Sequence, residues 1–184
     1  MVSVKILITL ALSTLHEYKI MFLTKVGKNQ LTARQILLDP ILCLAFGFGF
    51  GLAKKAPGTF GTLAAVPLYI ILVQANIFIY SLLTIICTVA GIWICGIAAD
   101  KLGEHDFGGI VWDEIAGLLI TMWFVSFSWQ NLVLGFALFR FFDILKPWPI
   151  KWIDQQVSGG FGIMLDDVIA GLVAGGILLI INLI

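Results

Sequence analysis

Three groups of charged residues, each containing carboxylates, interrupt parts of the chain that are otherwise apolar. They are Asp113-Glu114, Arg140 with Asp143, and Asp166-Asp167. A carboxylate placed in hydrocarbon costs roughly 2.5–3.5 kcal/mol even on lenient insertion scales, and neighbouring carboxylates repel one another unless a cation joins them. Oxygen ligands of this type suit Mg²⁺, which shares its coordination shell with waters and phosphate oxygens. The groups predict a magnesium site, although a lone acid near a helix end can also extend to the polar interface.

The acidic groups are placed so that separate helices could bring them together. Small residues follow the first and third groups, at Ala116-Gly117 and Ala170-Gly171, and small side chains let membrane helices approach closely. Arg140 and Asp143, three residues apart, share one helix face. We therefore expect carboxylates from three segments to meet at one point.

A different stretch, GFGFGLAKKAPGTFGTLAAVPLY over residues 47–69, has the composition of a phosphate site. It contains Lys54 and Lys55, a turn at Gly58, and the hydroxyls of Thr59 and Thr62. We predict Thr59 as the N-cap of a helix, whose free N–H groups and positive dipole end would face an anion. The alternative is an ordinary capped helix beside interfacial lysines.

The composition is that of an integral membrane protein. The chain is 60% hydrophobic and 12% charged, with a mean hydropathy of +1.06, whereas soluble domains are nearer 45–50% apolar and about 25% charged. The net charge is zero, so it indicates no nucleic-acid partner. We expect Cys43, Cys87 and Cys95 to be small buried hydrophobic residues, since they lie in apolar runs without regular spacing.

Apolar segments define the predicted fold, an all-α polytopic membrane bundle with about five spans. The predicted spans are 60–74, 77–99, 108–127, 131–145 and 163–184. Asp39-Pro40 and the glycines of GFGFG interrupt the apolar stretch 36–53, which we interpret as a re-entrant or interfacial segment. Residues 1–35 form a polar tail, in which Met1 and Met21 both remain candidate starts, and residues 36–184 form the membrane-embedded domain.

The distribution of charge predicts the orientation in the membrane. With the N-terminal tail in the cytoplasm, the two outer connections fall at residues 74–76 and 127–131, neither of which contains a charge. Every Lys, Arg, Asp and Glu then lies at or near the cytoplasmic face, in agreement with the positive-inside rule. We expect a multi-pass protein whose site faces the cytoplasm.

Several phosphatase mechanisms do not fit this sequence. None of the cysteines is followed by the arginine that a cysteine phosphatase needs, and histidine-based lipid phosphatases need two catalytic histidines. The chain has only His16, in the tail, and His105. Metal-dependent chemistry on carboxylates remains, with His105 either a proton donor or a structural interfacial residue.

Four blocks of sequence resemble one known family closely. They are AKKAPGTFGTLAAVPL, HDFGGIVWDEIAG, FRFFDILKPWPIKWID and GGFGIMLDDVIAG. Together they resemble the bacterial phosphatidylglycerophosphatase A family from about Leu37 to the C-terminus. The resemblance implies a Mg²⁺-dependent enzyme of the bacterial inner membrane that hydrolyses the terminal phosphomonoester of phosphatidylglycerophosphate to give phosphatidylglycerol.

The resemblance also implies roles for the residues singled out above. The expected catalytic set is Asp113, Glu114, Asp143, Asp166, Asp167 and Arg140, and its five carboxylates are the expected Mg²⁺ ligands. The expected substrate-binding set is Lys55, Gly58, Thr59, Thr62, Lys54, Lys146, His105 and Asp106. Lys54 stands where the family more often has a small residue or proline, so the resemblance supports Lys55 more strongly. We favour water over an aspartate as the nucleophile, because no single aspartate stands out.

Three other functions fit the sequence less well. A CDP-alcohol phosphotransferase needs an Asp-x-x-Asp-Gly-x-x-Ala-Arg core, which this chain lacks. A cation- or proton-coupled transporter could use the buried acids as a relay, but such folds usually contain internal repeats and none is visible here. A non-catalytic membrane scaffold would not explain why paired acids, which are costly in an apolar segment, are present.

Overall fold

Capping residues and prolines mark where most of the helices begin. Thr32 caps the first helix in a reciprocal capping box with Gln35, and Asp39 caps the second, which starts at Pro40. Asn76 and Ser128 accept hydrogen bonds from backbone N–H groups three residues ahead. Each side chain satisfies a donor that the first turn of a helix leaves without an intrahelical partner.

The computed structural model describes residues 31–184 except 106, 149, 151 and 153–155. Its helices are α1 (Ala33–Leu38), α2 (Pro40–Ala45), α3 (Pro57–Leu72), α4 (Ile77–Leu102), α5 (Trp112–Thr121), α6 (Trp129–Leu145) and α7 (Gly159–Leu183), with 3₁₀ helices over Gly47–Leu52 and Met122–Phe124. All regular elements in the described residues are helical, so the all-α prediction is confirmed. The predictions that concern His16, Met21 and Asp106 fall on residues outside the described ranges.

The stretch 36–53 is interrupted where the sequence predicts. Asp39 separates α1 from α2, and positive φ angles at Phe48 and Gly49 turn the chain within the 3₁₀ helix. A helix of six residues is only about 9 Å long, far less than the roughly 30 Å of a bilayer core. The Asp39 carboxylate also forms an ion pair with Lys101, which fastens this stretch to the end of α4.

The Asp39 carboxyl has a perturbed pKa because of these contacts. Burial opposes its ionisation, but the Lys101 ammonium and the backbone N–H groups of Ile41 and Leu42 outweigh burial. Together they hold the pKa of Asp39 below its ordinary value. The charged form of Asp39 therefore stabilises the folded protein.

Two predicted helix starts are wrong for identifiable reasons. Thr59 does not cap α3, because the helix begins at Pro57, and Ala56 adopts a left-handed conformation before it. Proline suits the first helical position, where its missing N–H has no partner to lose. Helix α7 begins at Gly159 rather than 163. A Cβ at Gly160 would lie 1.9 Å from the Ile92 carbonyl oxygen, so the close approach to α4 requires glycine.

The short helix α5 forms the centre of the bundle. It packs against α3, α4, α6 and α7, and every residue from Ile115 to Thr121 is buried. The predicted segment 108–127 is divided here, because residues 108–111 precede the helix and the 3₁₀ turn Met122–Phe124 follows it. Asp113 and Glu114 therefore occupy the first turn of α5, not the second as the longer predicted helix implied.

Contacts between helix ends place the predicted site residues at one end of the bundle. The ammonium of Lys146, just after α6, lies 2.5 Å from Asp166 Oδ2 in α7. At the opposite end, Asn182 donates to the Asn131 side-chain oxygen over 3.1 Å. Helices α6 and α7 therefore run in opposite directions, which brings Asp143 and Asp166 to the same end of the bundle.

Among the residues that the structure describes, two helices are long and apolar enough to cross a membrane. They are α4, with 26 residues, and α7, with 25. Helix α3 is apolar but has 16 residues, while α5 and α6 have 10 and 17. Large apolar side chains such as Phe78, Trp93 and Ile180 are exposed on the outer faces of α4 and α7, where a soluble protein would place polar residues.

Candidate active site

The first turn of α5 and the first half of α7 bring three carboxylates together. One oxygen each from Asp113, Glu114 and Asp167 lies within 4.8 Å of the other two. Asp113 and Asp167 are buried, with 9% and 3% of their surface exposed. The positive end of the α5 dipole lies beside Asp113 and Glu114 and favours negative charge there.

Asp166 and Asp167 have different partners although they are adjacent. Consecutive residues of an α-helix point roughly 100° apart. Asp167 joins the three-carboxylate cluster, while Asp166 Oδ2 pairs with Lys146 at 2.5 Å. Lys146 adopts a left-handed conformation at the C-terminus of α6, and its backbone N–H donates to the Phe142 carbonyl over 2.9 Å.

Arg140 joins two of the acidic groups. Its guanidinium forms an ion pair with Asp143, one turn later in α6. The same Nη1 atom lies 3.6 Å from Glu114 Oε1 in α5. Side chains of all three residues are largely buried, with 12–13% exposed, so their interaction is weakly screened by solvent.

A cavity of about 340 Å³ opens beside these carboxylates. The polar residues that line it are His105, Asp113, Glu114, Asp143, Lys146, Asp166 and Asp167. All five predicted carboxylates thus border one cavity, together with a cation. The cavity also has lining residues that the sequence analysis did not single out, including Gly108, Ile110 and Gly162. These residues lie in the same sequence blocks as the acids, and that proximity is the feature of the sequence that could have indicated them.

The residues around the cavity fit a hard divalent cation. Glu114 Oε2 and Asp167 Oδ2 are buried and have no hydrogen-bond partner among the described residues. Buried polar atoms are normally satisfied, so each such oxygen requires an explanation. Carboxylate oxygens are the donors that Mg²⁺ prefers, and a cation between them would offset the repulsion within the cluster.

The start of α3 contacts Arg140 and closely approaches Glu114. Thr62 Oγ1 donates to the Gly58 carbonyl over 2.9 Å and accepts from Arg140 Nη1 over 3.4 Å. A Cβ at Gly58 would lie 2.2 Å from Glu114 Oε1, so glycine permits this close approach. Thr59 is the third residue of α3 and is partly buried.

Two of the three lysines in the predicted substrate-binding set are not brought to the acids. Lys54 and Lys55 are exposed, and neither is among the described residues that line the acidic cavity. Lys54 instead lines a separate cavity of about 820 Å³, together with Lys101 and Glu104. Of the lysines in the predicted substrate-binding set, Lys146 is the one that lines the acidic cavity among the described residues.

His105 lies at the edge of the acidic cavity. Its Nε2 atom accepts a hydrogen bond from the Gly159 N–H, at the start of α7. Nε2 is therefore an acceptor, and Nδ1 is the ring nitrogen that can carry the proton.

The chain is similar over most of its length to proteins of one family. The family model described as phosphatidylglycerophosphatase A matches residues 43–182. A phosphatidylglycerophosphatase A from Escherichia coli strain K12 is 41% identical over 156 residues, covering 84% of this chain and 91% of that protein. The Haemophilus influenzae Rd protein of the same name is 47% identical over 140 residues, covering 75% of this chain and 86% of the relative.

A third relative has a different name. A putative phosphatidylinositol-3-phosphatase from Bacteroides thetaiotaomicron is 37% identical over 143 residues, which covers 72% of this chain and 86% of that protein. No solved structure matches the chain. The family match includes all three acidic groups, the cavity and the start of α3. On this evidence, the chain belongs to the phosphatidylglycerophosphatase A family.

Proposed function

We propose that this chain is a Mg²⁺-dependent lipid phosphatase that hydrolyses the terminal phosphomonoester of phosphatidylglycerophosphate and gives phosphatidylglycerol. The relatives from E. coli and H. influenzae have the name of that activity. The proposal rests on one observation. Carboxylate oxygens of Asp113, Glu114 and Asp167 lie within 4.8 Å of one another. They lie in a cavity that also contains Lys146.

Asp113, Glu114 and Asp167 would hold the Mg²⁺ ion, with Asp143 and Asp166 at the same cavity. When bound, Mg²⁺ supplies Lewis-acid polarisation of phosphoryl oxygens and a lowered pKa for a coordinated water. The protein itself contributes the alignment of the acids and the exclusion of bulk water. Burial strengthens each of these charge interactions relative to an exposed site.

The cations of the site have separate electrostatic tasks. Lys146 lines the cavity and can balance negative charge on the equatorial oxygens of the phosphoryl group as the transition state forms. Arg140 is paired with Glu114 and Asp143, so its charge compensates the carboxylates.

In the proposed reaction, a water oxygen bonds to phosphorus while the bond from phosphorus to the glycerol oxygen breaks. The attacking water loses a proton, and the glycerol oxygen gains one as it leaves. The carboxylates of the cavity can accept the first proton. The carboxyl that accepts the first proton, or a water, can deliver the second.

The proposed enzyme lies in the bacterial inner membrane with about five spans and its cavity at the cytoplasmic side. Support comes from α4 and α7, whose lengths suit a bilayer, and from their exposed apolar faces. Only 33% of the most apolar 18-residue stretch of α4 is buried inside the protein, whereas the core helix of a soluble protein is mostly buried. A phosphate on a lipid headgroup lies at the level of these helix ends.

The transporter alternative is not favoured. The acids lie at one end of the bundle, beside the ends of α4 and α6, whereas a transport site is expected near the bilayer midplane. The family match also concerns phosphatases.

Phosphate release by the purified protein tests the proposal. The assay uses phosphatidylglycerophosphate in detergent micelles, with Mg²⁺ or with EDTA, and phosphatidylinositol-3-phosphate as a second substrate. We expect Mg²⁺-dependent release that is faster from phosphatidylglycerophosphate. Faster release from the inositol lipid would contradict the proposed substrate, and release that persists in EDTA would contradict the proposed metal.

The Asp167→Asn variant tests the role of the three-carboxylate cluster. The substitution removes one of several neighbouring negative charges, so the variant should remain folded and melt no lower than the wild type. Its phosphate release should nevertheless fall by at least about a hundredfold, as expected for a residue that acts on the reacting group. Asp100→Asn is the control, because Asp100 is exposed and is not among the described residues that line the acidic cavity.

A further inference from the structure

Thr62 is placed to act on a side chain and not on a substrate. Its surface is 0% exposed, and it is not among the described residues that line the acidic cavity. The single hydroxyl proton is committed to the Gly58 carbonyl, at 2.9 Å. The lone pairs that remain can face only a donor, and Arg140 Nη1 lies 3.4 Å away.

Arg140 is held at its Nη1 atom by three oxygens of the protein. Nη1 lies 3.6 Å from Glu114 Oε1, pairs with Asp143 Oδ2 and donates to the Thr62 hydroxyl in α3. A guanidinium has five N–H donors in a rigid fork, so its orientation determines where its carboxylate partners lie. Arg140 is not among the described residues lining the cavity, whereas Lys146 is.

We propose that Thr62 is a positioning residue whose hydroxyl fixes the orientation of Arg140. Arg140 in turn orients Glu114 and Asp143 toward the cavity, and Lys146 is the cation that faces the phosphate. The inference rests on the proposed function, since it assigns roles within that site. It differs from the sequence-based expectation that Thr62 and Arg140 contact the substrate.

The Thr62→Val variant tests this role because it keeps the shape and removes the hydroxyl. A hydrogen bond to a charged group is worth enough to change a rate by about tenfold or more. We expect kcat to fall by about tenfold with KM unchanged, since the carboxylates lose alignment but the phosphate keeps Lys146. Thr62→Ser retains the hydroxyl and should restore most of kcat.

Thr121→Val is the matched control for the loss of a buried hydroxyl. Thr121 is also 0% exposed, and its Oγ1 donates to the carbonyl four residues earlier, Gly117, over 2.9 Å. Its other bond runs to the Gly171 carbonyl, so the removal of its hydroxyl should leave kcat and KM unchanged.

A double-mutant cycle tests whether Thr62 acts through Arg140. If it does, Thr62→Val should have little further effect on kcat in an Arg140→Lys background, which preserves the charge but loses the fork. Thr121→Val should have the same small effect in both backgrounds. Independent, multiplicative losses from Thr62→Val and Arg140→Lys would overturn the proposal.

The two cations should also differ in their kinetics. Arg140→Lys should lower kcat with little change in KM, whereas Lys146→Gln should raise KM as well, because it removes a contact with the bound phosphate. The reverse pattern, with KM raised by Arg140→Lys alone, would show that Arg140 contacts the substrate and would refute the assignment.

The same cycle measured on the melting temperature, without substrate, separates this inference from the proposed function. Coupling between Thr62 and Arg140 in the melting temperature, combined with no phosphate release by the wild type, would retain the contact and reject the function. Phosphate release without coupling in either measurement would retain the function and reject the positioning role.

Discussion

Gly58→Ala should damage the site while leaving the fold nearly intact. A Cβ at position 58 would lie 2.2 Å from Glu114 Oε1 and 3.0 Å from both terminal nitrogens of Arg140. These are the ends of flexible side chains, so they can move away at little cost in folding free energy. Alanine is also the better helix former, by about 0.5–1 kcal/mol within a helix.

The magnitude of the activity loss follows from the displacement. Relief of a 2.2 Å contact requires Glu114 to move by about 1 Å, and a misplacement of about 1 Å in an active site can cost about a hundredfold in rate. We therefore expect kcat/KM for phosphatidylglycerophosphate to fall by about a hundredfold. The melting temperature in detergent should stay within about 4 °C of the wild type, the shift that roughly 1–2 kcal/mol produces in a chain of this size.

Gly176→Ala is the matched control for this substitution. Gly176 lies in α7, and a Cβ there would meet nothing within 4 Å. The control should retain wild-type kcat/KM and melt at the same temperature or slightly higher. Wild-type kcat/KM in Gly58→Ala would refute the reasoning, because the displaced Glu114 would then have no part in the reaction.

Further predictions concern the metal, the pH dependence and the topology. Asp113→Asn should abolish Mg²⁺-dependent phosphate release while the protein remains folded and inserted, and an active variant would remove Asp113 from the site. Asp39→Asn keeps an oxygen that can cap α2 but loses the ion pair with Lys101, so it should melt below the wild type at neutral pH. Because the folded pKa of Asp39 is lowered, its contribution is present above the unfolded pKa and is lost as the pH falls through the folded pKa. The difference in melting temperature should therefore vanish in acid, and a constant difference would contradict the assignment. Single cysteines at 100–107 and 146–160 should react with reagents only from the cytoplasmic side, and labelling of 146–160 from outside would overturn the topology.

The sequence predicts the helices well because their signals are local. Apolar runs of the right length predict α3, α4, α6 and α7, and the Asp39-Pro40 break separates α1 from α2 as expected. The start of α3 was misplaced because both Thr59 and Pro57 are plausible start signals. The left-handed conformation at Ala56 decides between them.

The candidate site was predictable in its residue types but not in its internal contacts. The rarity of charge in an apolar chain was enough to indicate the acids, which do border one cavity. The sequence gives no measure of which cation reaches them. Lys54, Lys55 and Lys146 all belong to the predicted substrate-binding set, and of these three Lys146 is the one among the described residues that line the cavity. The contact of Thr62 with Arg140 joins residues 78 positions apart, which only the tertiary structure brings together.

The location of a bound divalent ion tests the central claim most directly. Mn²⁺ can replace Mg²⁺ at sites with oxygen ligands and gives an anomalous scattering signal in crystals. The account predicts an anomalous peak in contact with carboxylate oxygens of Asp113, Glu114 and Asp167 in the wild type, and its loss in Asp167→Asn. A peak elsewhere on the protein, or an unchanged peak in the variant, would contradict it.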